Sequence, residues 1–360
     1  MAEIVTFGEI MGRLTPPDLK RFRQAVPGPI ELTFAGAEAT VAVTIALLGG
    51  RAAFVTALPK HEIADACVAA LRGTGVDTSR ILRVDEGRLG VYFYEVGVDQ
   101  RPGRVVYDRI GSSVSLTPGE AYPWADIFTG AGWFHFSGIT PAISERAASA
   151  TFVAVREAKE HGLRVSCDLN YREQLWRWAP DMAPRDLAEQ TMREVLGSCD
   201  LVIGSEYCVA QFLSIRAPGA DADSVTERSA EVARIVCEQF PSVQQVAMTL
   251  RQSTSASHNS LGAMLYGRDI GSASFAPLVD GRYRPYEMRH IVDRLGTGDA
   301  FAGALLYALT TSELSAPSSA LSFAAAAACL AHSIPGDFSF FSRVEVEALA
   351  RGEGAGWVIR

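Results

Sequence analysis

The stretch WFHFSGITPAISERAASATFVAVREAKEHGLRVSC, residues 133–167, contains two short apolar runs separated by a long amphipathic segment. Residues 133–136 and 164–167 predict buried strands, and residues 144–161 predict a helix between them. Two strands joined by a helix of this length pair in parallel, because a parallel pair needs a crossover connection. The stretch therefore predicts a strand–helix–strand unit of an α/β fold.

The same alternation recurs on both sides of that unit. Further strands are predicted at residues 4–7, 53–57, 201–203 and 245–249, and further helices at residues 37–48, 62–71, 185–196 and 226–238. Short apolar strands alternating with longer helices are typical of a parallel sheet covered on both faces. The sequence predicts one doubly wound, mostly parallel α/β domain over residues 1–360.

Two stretches interrupt the alternation. Residues 11–34 carry four prolines and are expected to be extended, and residues 88–112 read as a β-hairpin around Pro102-Gly103. Strands inserted at two places before the core resumes predict a small β-sheet that forms a lid over one end of the main sheet. Its free edges could pair with those of a second copy, so a homo-oligomer formed through the lid is expected.

Composition excludes several classes of function. The net charge is −8 and the basic residues are scattered, which argues against nucleic-acid binding. The most apolar tract, residues 320–331, is shorter than the roughly 20 residues that span a bilayer. The six cysteines include no Cys-x-x-Cys pair, and the start of the chain lacks the pattern of a signal peptide. We therefore expect a cytoplasmic protein with structural thiols.

The segment VDRLGTGDAFAGA, residues 292–304, carries the most specific chemistry. It predicts a strand-like approach, a Gly-Thr-Gly turn and a helix that starts near Asp299. Unpaired backbone N–H groups at a helix start bind anions, and a carboxylate beside them can take a proton from an alcohol. The alternative is that Asp299 only caps the helix. The segment is neither a Walker loop nor a dinucleotide fingerprint.

The pattern Asp-x-x-Gly-x-Gly-Asp-x-Phe-x-Gly in this segment resembles the signature of the ribokinase (PfkB) family of carbohydrate kinases. The resemblance implies a ribokinase-like fold, ATP and Mg²⁺ as cofactors, and an anion hole formed by Gly296, Thr297 and Gly298, with Asp299 as the catalytic base. Residues 35–42, AGAEATVA, look like the substrate motif of the same family.

Several segments resemble the 2-keto-3-deoxygluconate kinases within that family, among them GVYF at residues 90–93, SGIT at 137–140, DLNYR at 168–172 and IPGD at 334–337. The resemblance implies a sugar-acid pocket lined by Gly36, Tyr92, Tyr107, Arg109, Ile139, Arg172 and Asp337. Guanidinium groups bind carboxylates through paired N–H donors, which favours an acidic substrate. Arg172 could instead form a surface ion pair, and the two tyrosines could be cross-strand packing.

Three positions depart from the family pattern. Thr40 replaces an Asn of the substrate motif, and Ser205 and Cys208 stand where the family carries the Asn and Glu that help to hold magnesium, so no metal ligand is assigned. Thr249 and Arg251 are the residues expected at the nucleotide. Kinases for fructose, a ribonucleoside or 2-keto-3-deoxygalactonate stay open as alternatives, as does a non-catalytic sugar-acid sensor.

Overall fold

Strands and helices alternate along most of the chain in the computed structural model, which describes residues 2–217 and 224–353. The strands are β1 Glu3–Phe7, β2 Met11–Thr15, β3 Glu31–Ala35, β4 Ala52–Val55, β5 Ala57–Pro59, β6 Leu82–Val84, β7 Gly90–Glu95, β8 Arg104–Asp108, β9 Ala131–Ser137, β10 Arg164–Asp168, β11 Leu201–Gly204, β12 Gln245–Ser253, β13 Asn259–Gly267, β14 Ser272–Ala276, β15 Leu278–Val279, β16 Arg282–Tyr283 and β17 Tyr286–Met288. The helices are α1 Phe22–Ala25, α2 Ala37–Leu47, α3 Glu62–Gly73, α4 Ser113–Leu116, α5 Trp124–Phe128, α6 Glu145–Glu160, α7 Pro184–Leu196, α8 Glu206–Leu213, α9 Val225–Gln239, α10 Thr297–Thr310, α11 Pro317–Ala331 and α12 Arg343–Ala350.

The main sheet has the strand order β14-β13-β12-β11-β10-β9-β1-β4, with β17 paired to β13. Six neighbouring strands of this sheet are parallel to one another, namely β4, β1, β9, β10, β11 and β12. The expectation of a doubly wound, mostly parallel α/β core is therefore confirmed. Beyond β12 the sheet continues with the antiparallel strands β13, β14 and β17, which the sequence analysis did not predict.

Successive side chains of a strand point to opposite faces, so a strand buried on both sides contributes to two cores. Ile4 of β1 belongs to the buried cluster that includes residues of α2, α10 and α11, whereas the next residue, Val5, belongs to the cluster that includes residues of α6, α7 and α9. The helices thus cover both faces, which leaves the carboxyl ends of the parallel strands as an open edge for a site.

A second, four-stranded sheet is formed by β3, β2, β7 and β8, in that order. The hairpin of β7 and β8 is antiparallel, and β2 joins β7 in parallel. These strands come from the two stretches, residues 11–34 and 88–112, that interrupt the alternation. We call this assembly the small sheet.

The structure differs from the sequence expectations in two places near the site. The expected strand-like approach to the Gly-Thr-Gly turn was wrong: β17 ends at Met288, and the backbone N–H of Val292 donates to the carbonyl of His332 at 2.8 Å instead of to a neighbouring strand. The stretch 11–34 is not extended throughout, because it includes the short helix α1.

Two further global features bear on function. Among residues 2–217 and 224–353, no helix combines the length and apolar character needed to cross a bilayer. All six cysteines are free thiols, four of them buried.

Candidate active site at the start of α10

The Gly-Thr-Gly turn leads directly into α10. Gly296 caps the helix with φ +76°, in the left-handed region, and a Cβ atom there would lie 2.4 Å from the backbone oxygen of Asp337. Only glycine fits such a position without strain or clash. Gly298 differs, because a Cβ atom there would have no atom within 4 Å. The first amides of α10 consequently border open space and carry the partial positive charge of a helix start.

Asp299 lies in the first turn of α10, half-buried and facing the end of β10. Its Oδ1 is 3.5 Å from Nδ2 of Asn170, a residue that follows β10 with φ +40°. Burial raises the pKa of Asp299 well above its usual value, and the negative charges of Asp168, Asp337 and Glu38 raise it further, while Arg172 opposes them. A carboxylate with a raised pKa is a stronger base once it is ionised.

Asp168 ends β10 and is a second carboxylate at this edge. Burial raises its pKa to about 7, against the opposing effect of Arg172 and of the N–H of Asn170, which donates to Asp168 Oδ1 at 3.2 Å. Arg172 is exposed, and its Nη1 donates to the backbone oxygen of Tyr171 at 2.9 Å. Two carboxylates and one guanidinium therefore meet at the ends of the central strands.

A cavity of about 1090 Å³ opens at this edge. Seven of the residues predicted from the sequence line it: Arg172, Thr249, Arg251, Gly296, Thr297, Gly298 and Asp299. Desolvation in the cleft, followed by repulsion from Arg294 and Arg172, lowers the pKa of Arg251, so the cavity wall concentrates positive charge. A cavity of this size with cationic walls suits a large polyanion.

Three of the other predicted residues form a chain beside the cavity. Tyr92 on β7 and Tyr107 on β8 have ring centroids 6.0 Å apart, and the Tyr92 hydroxyl donates to Oδ1 of Asp337 at 2.9 Å. Asp337 also accepts from Nη1 of Arg13 at 2.6 Å. Burial raises the pKa of Asp337, and Arg13 opposes that effect.

Gly36 and Arg109 converge on Glu9, which follows β1. A Cβ atom on Gly36 would lie 2.1 Å from the backbone oxygen of Glu9. The buried guanidinium of Arg109 donates to Oε2 of Glu9, from Nε at 2.7 Å and from Nη2. Ile139 is half-buried just after β9, and its N–H donates to Oγ of Ser137 at 3.1 Å. Arg109 thus has an internal carboxylate partner, which the sequence analysis did not foresee.

Glu38 lies in the first turn of α2, within residues 35–42, and the sequence alone did not indicate its role. Its Oε1 accepts from the N–H and hydroxyl of Ser137, at 3.0 and 2.6 Å, and from the Thr140 hydroxyl at 2.7 Å. Burial raises its pKa. A buried, hydrogen-bonded acid of this kind ties the start of α2 to the end of β9.

Arg13 was missed altogether. It lies on β2 of the small sheet and reaches two carboxylates, Asp293 and Asp337, that frame the Gly-Thr-Gly turn. The available signal was an arginine within an otherwise apolar strand pattern, which in a buried strand requires a partner.

The described residues offer only a few possible ligands for magnesium. Within the described residues no cluster of three or more His, Cys, Asp or Glu could hold a metal ion by itself. Mg²⁺ commonly uses only one or two carboxylates together with substrate phosphates. Asp168 and Glu206 line the cavity, and Oε1 of Glu206 is buried without a hydrogen-bond partner among the described residues. The other oxygen of Glu206, Oε2, accepts from Nε of Arg228 at 2.7 Å. Asp168 and Oε1 of Glu206 are therefore oxygen groups of the type that a phosphate-bound Mg²⁺ uses.

This chain is similar to several known proteins in sequence and in structure. The sequence profile described as "pfkB family carbohydrate kinase" matches residues 1–240. A 2-dehydro-3-deoxygalactonokinase from Haloferax volcanii is 32% identical over 355 residues, covering 99% of this chain and 98% of that protein. Fructokinase-1 from Oryza sativa is 28% identical over 84% of this chain and 81% of its own length. The crystal structure of 2-dehydro-3-deoxygluconokinase from Thermotoga maritima superposes with a TM-score of 0.87, at 40% identity, over 98% of this chain and 100% of that one.

Proposed function

Because this chain belongs to the pfkB family of carbohydrate kinases, we propose that it transfers the γ-phosphoryl group of ATP to a hydroxyl of a 2-keto-3-deoxy sugar acid. 2-Keto-3-deoxygluconate is the first candidate and 2-keto-3-deoxygalactonate the second. The observation that carries the proposal is the exposed guanidinium of Arg172 in the same cavity as Asp299. It offers a carboxylate-binding group beside a base that would activate a hydroxyl of the same molecule.

In the proposed reaction Asp299 takes the proton of the attacking hydroxyl while its oxygen forms a bond to the γ-phosphorus and the bond to the leaving ADP oxygen breaks. The transferred group carries its charge on three equatorial oxygens, so donors placed around it lower the barrier. The amides of Gly296, Thr297 and Gly298 are the proposed donors. Their position at the start of α10 supports this role, because the helix dipole adds to their charge.

Nucleotide binding is proposed along the cavity wall that includes Thr249 and Arg251 of β12. Arg251 and its neighbour Arg294 supply positive charge to a triphosphate. Mg²⁺ bound to the nucleotide would neutralise part of the phosphate charge, and Asp168 and Glu206 are the carboxylates placed to hold its waters. Asp168 contributes most in its ionised form, above its pKa of about 7.

The sugar acid is proposed to bind between this edge and the small sheet. Gly36 and Ile139 would form the wall, Tyr92 and Tyr107 would pack on the carbon chain, and Asp337 would accept from a sugar hydroxyl. Arg109 would join Arg172 at the substrate carboxylate by sharing its guanidinium between Glu9 and the ligand. The small sheet acts as a lid in this proposal, and its closure excludes water from the reacting groups.

The test is a coupled assay of ADP release with ATP and magnesium over a panel of acceptors. 2-Keto-3-deoxygluconate and 2-keto-3-deoxygalactonate are compared with fructose and a ribonucleoside, and Arg172→Ala is run beside the wild type. The proposal predicts the highest kcat/KM for a sugar acid and its selective loss in the variant. Preference for fructose with no effect of Arg172→Ala would refute it, and sugar-acid binding in titration calorimetry without any ADP release would indicate a sensor.

We also propose that two copies associate through the outer face of the small sheet. Leu32, Leu14, Phe93 and Val106 are successive cross-strand partners and form one apolar row over all four strands. Leu32 and Val106 at its ends are 47% and 62% exposed. Exposed apolar rows of this kind mark association sites. Light scattering should show a dimer that Val106→Lys disrupts and the control Ile63→Lys, on α3, does not; a monomeric wild type would contradict the proposal.

A cytoplasmic location completes the proposal. It is supported by the free state of all six cysteines, which a reducing compartment would maintain. Fractionation of cells that express the full chain tests it, and recovery outside the cytoplasm would contradict it.

A further inference from the structure

We propose that Arg13 is a positioning residue that couples the small sheet to the phosphate-binding turn, defined here as residues 293–298. The guanidinium of Arg13 connects the two. The position of the small sheet over the sugar pocket would thereby determine the position of the backbone amides that bind the phosphoryl group. The inference rests on the kinase function proposed above and adds a residue that acts through others and does not itself contact the substrate.

Arg13 is held rigidly on β2. The residue is only 3% exposed, and its Nε donates to Oγ1 of Thr15 at 3.1 Å. Its guanidinium also lies over the ring of Tyr94 on β7, 4.9 Å from the ring centroid. The hydrogen bond from Nε and the ring below one face fix the direction of the planar group, so a movement of the small sheet moves the guanidinium with it.

One nitrogen of the guanidinium contacts Asp293 at the start of the phosphate-binding turn. Nη2 of Arg13 donates to Oδ2 of Asp293. The other oxygen of that carboxylate, Oδ1, accepts from the N–H of Arg294 at 2.7 Å and from the N–H of Leu295 at 3.2 Å. The carboxylate therefore transmits the position of Arg13 to the backbone that leads into Gly296.

A second nitrogen of the guanidinium contacts Asp337, whose backbone packs against Gly296. Nη1 of Arg13 donates to Oδ1 of Asp337, which also accepts from the Tyr92 hydroxyl. The backbone oxygen of Asp337 lies 2.4 Å from the place a Cβ atom of Gly296 would take. The N–H of Gly336 donates to Oδ2 of Asp293 at 3.0 Å, which closes the ring of contacts.

These contacts predict a specific functional consequence. A reacting group misplaced by about 1 Å costs on the order of a hundredfold in rate, so loss of the shared guanidinium should lower kcat more than it weakens binding. A lysine keeps the positive charge but has no planar fork for two separate carboxylates. A residue that merely stabilised the fold would lower the melting temperature without this selective loss of turnover.

The experiment compares Arg13→Lys and Asp293→Asn with the wild type and with Arg80→Met. Arg80 is the matched control, because it forms a half-buried ion pair with Glu3 at 2.5 Å, at the opposite end of β1. Asp293→Asn keeps an oxygen for the amides of Arg294 and Leu295 and removes the charge that Arg13 contacts. Four quantities are measured for each protein: the melting temperature, kcat and KM for the best acceptor, and the rate of hydrogen exchange of the amides of residues 294–298.

Arg13→Lys and Asp293→Asn are expected to lower kcat about tenfold or more, with KM values within about threefold, and to speed exchange of the 294–298 amides. Arg80→Met is expected to lower only the melting temperature. The inference is overturned if both site variants behave like Arg80→Met, with kcat and exchange unchanged. If the wild type phosphorylates none of the acceptors, the proposed function is wrong, and the exchange measurement still decides the role of Arg13.

Discussion

Gly298→Ala should separate phosphate binding from folding more cleanly than other substitutions in this turn. A Cβ atom at residue 298 meets no atom within 4 Å, and the residue is helical, so alanine fits. Alanine in a helix is more stable than glycine by about 0.5–1 kcal/mol, which predicts an unchanged or slightly higher melting temperature. The new methyl group would instead point back towards the start of α10, because Cβ atoms tilt towards the helix N-terminus.

That direction places the methyl group where the phosphoryl oxygens must approach the amides of residues 296–298. Loss of one such donor costs about 100- to 1,000-fold in kcat, or about 2.7–4 kcal/mol of transition-state stabilisation. The assay is steady-state ADP release with the best acceptor, beside thermal unfolding of the same preparations. Gly73→Ala is the control, since Gly73 ends α3, does not line the cavity and also has open space around its Cβ position.

The reasoning would be refuted if Gly298→Ala turned over like the wild type, because the phosphoryl group would then not approach these amides. A large fall in melting temperature would equally contradict the open space assigned to this position. Gly73→Ala should change neither rate nor specificity.

Three further predictions test neighbouring parts of the site. Arg172→Ala should raise the KM for a sugar acid by about tenfold or more, because about this much binding is lost with one charged hydrogen bond. Turnover of a neutral acceptor should be unaffected. Equal effects on both acceptors would contradict the proposed role of Arg172 in binding the substrate carboxylate. The proposed base Asp299 has to be ionised to act, so kcat/KM should fall as pH drops through its raised pKa. Asp168→Asn removes a neighbouring negative charge and should move this acidic limb to lower pH, whereas a shift to higher pH would contradict the assignment. Glu38→Ala leaves three hydrogen-bond donors without their acceptor and should lower the free energy of unfolding by about 3 kcal/mol or more, measured by denaturant titration. Glu38→Gln should unfold more like the wild type. Identical unfolding of both variants and the wild type would contradict the role of Glu38.

The sequence was sufficient for features that depend on neighbours along the chain. The alternation of apolar strands and helices predicted β9, α6 and β10 within a few residues of their bounds, because burial on both faces leaves a continuous apolar pattern. The Gly-Thr-Gly turn before Asp299 was recognisable for a similar reason, since the helix start and its carboxylate lie within four residues.

Contacts between distant segments could not be read in this way. Arg13 meets Asp337 across 324 positions and Arg109 meets Glu9 across 100, and neither pairing leaves a local pattern. The antiparallel strands β13, β14 and β17 were missed because antiparallel neighbours need no crossover helices, which were the pattern that identified the parallel core. Arg109 was expected to line the sugar-acid pocket, and no pattern in the sequence indicated that its guanidinium also contacts Glu9.

The assignment of Asp299 as the catalytic base is tested most directly by Asp299→Asn, with turnover and binding measured on the same preparation. Asparagine keeps the size of the side chain and the amides at the start of α10 but cannot accept the hydroxyl proton. The sugar acid and a non-hydrolysable ATP analogue should bind with dissociation constants close to those of the wild type, while kcat falls about a hundredfold or more. Turnover at the wild-type rate would show that another group takes the proton and would contradict the proposed site.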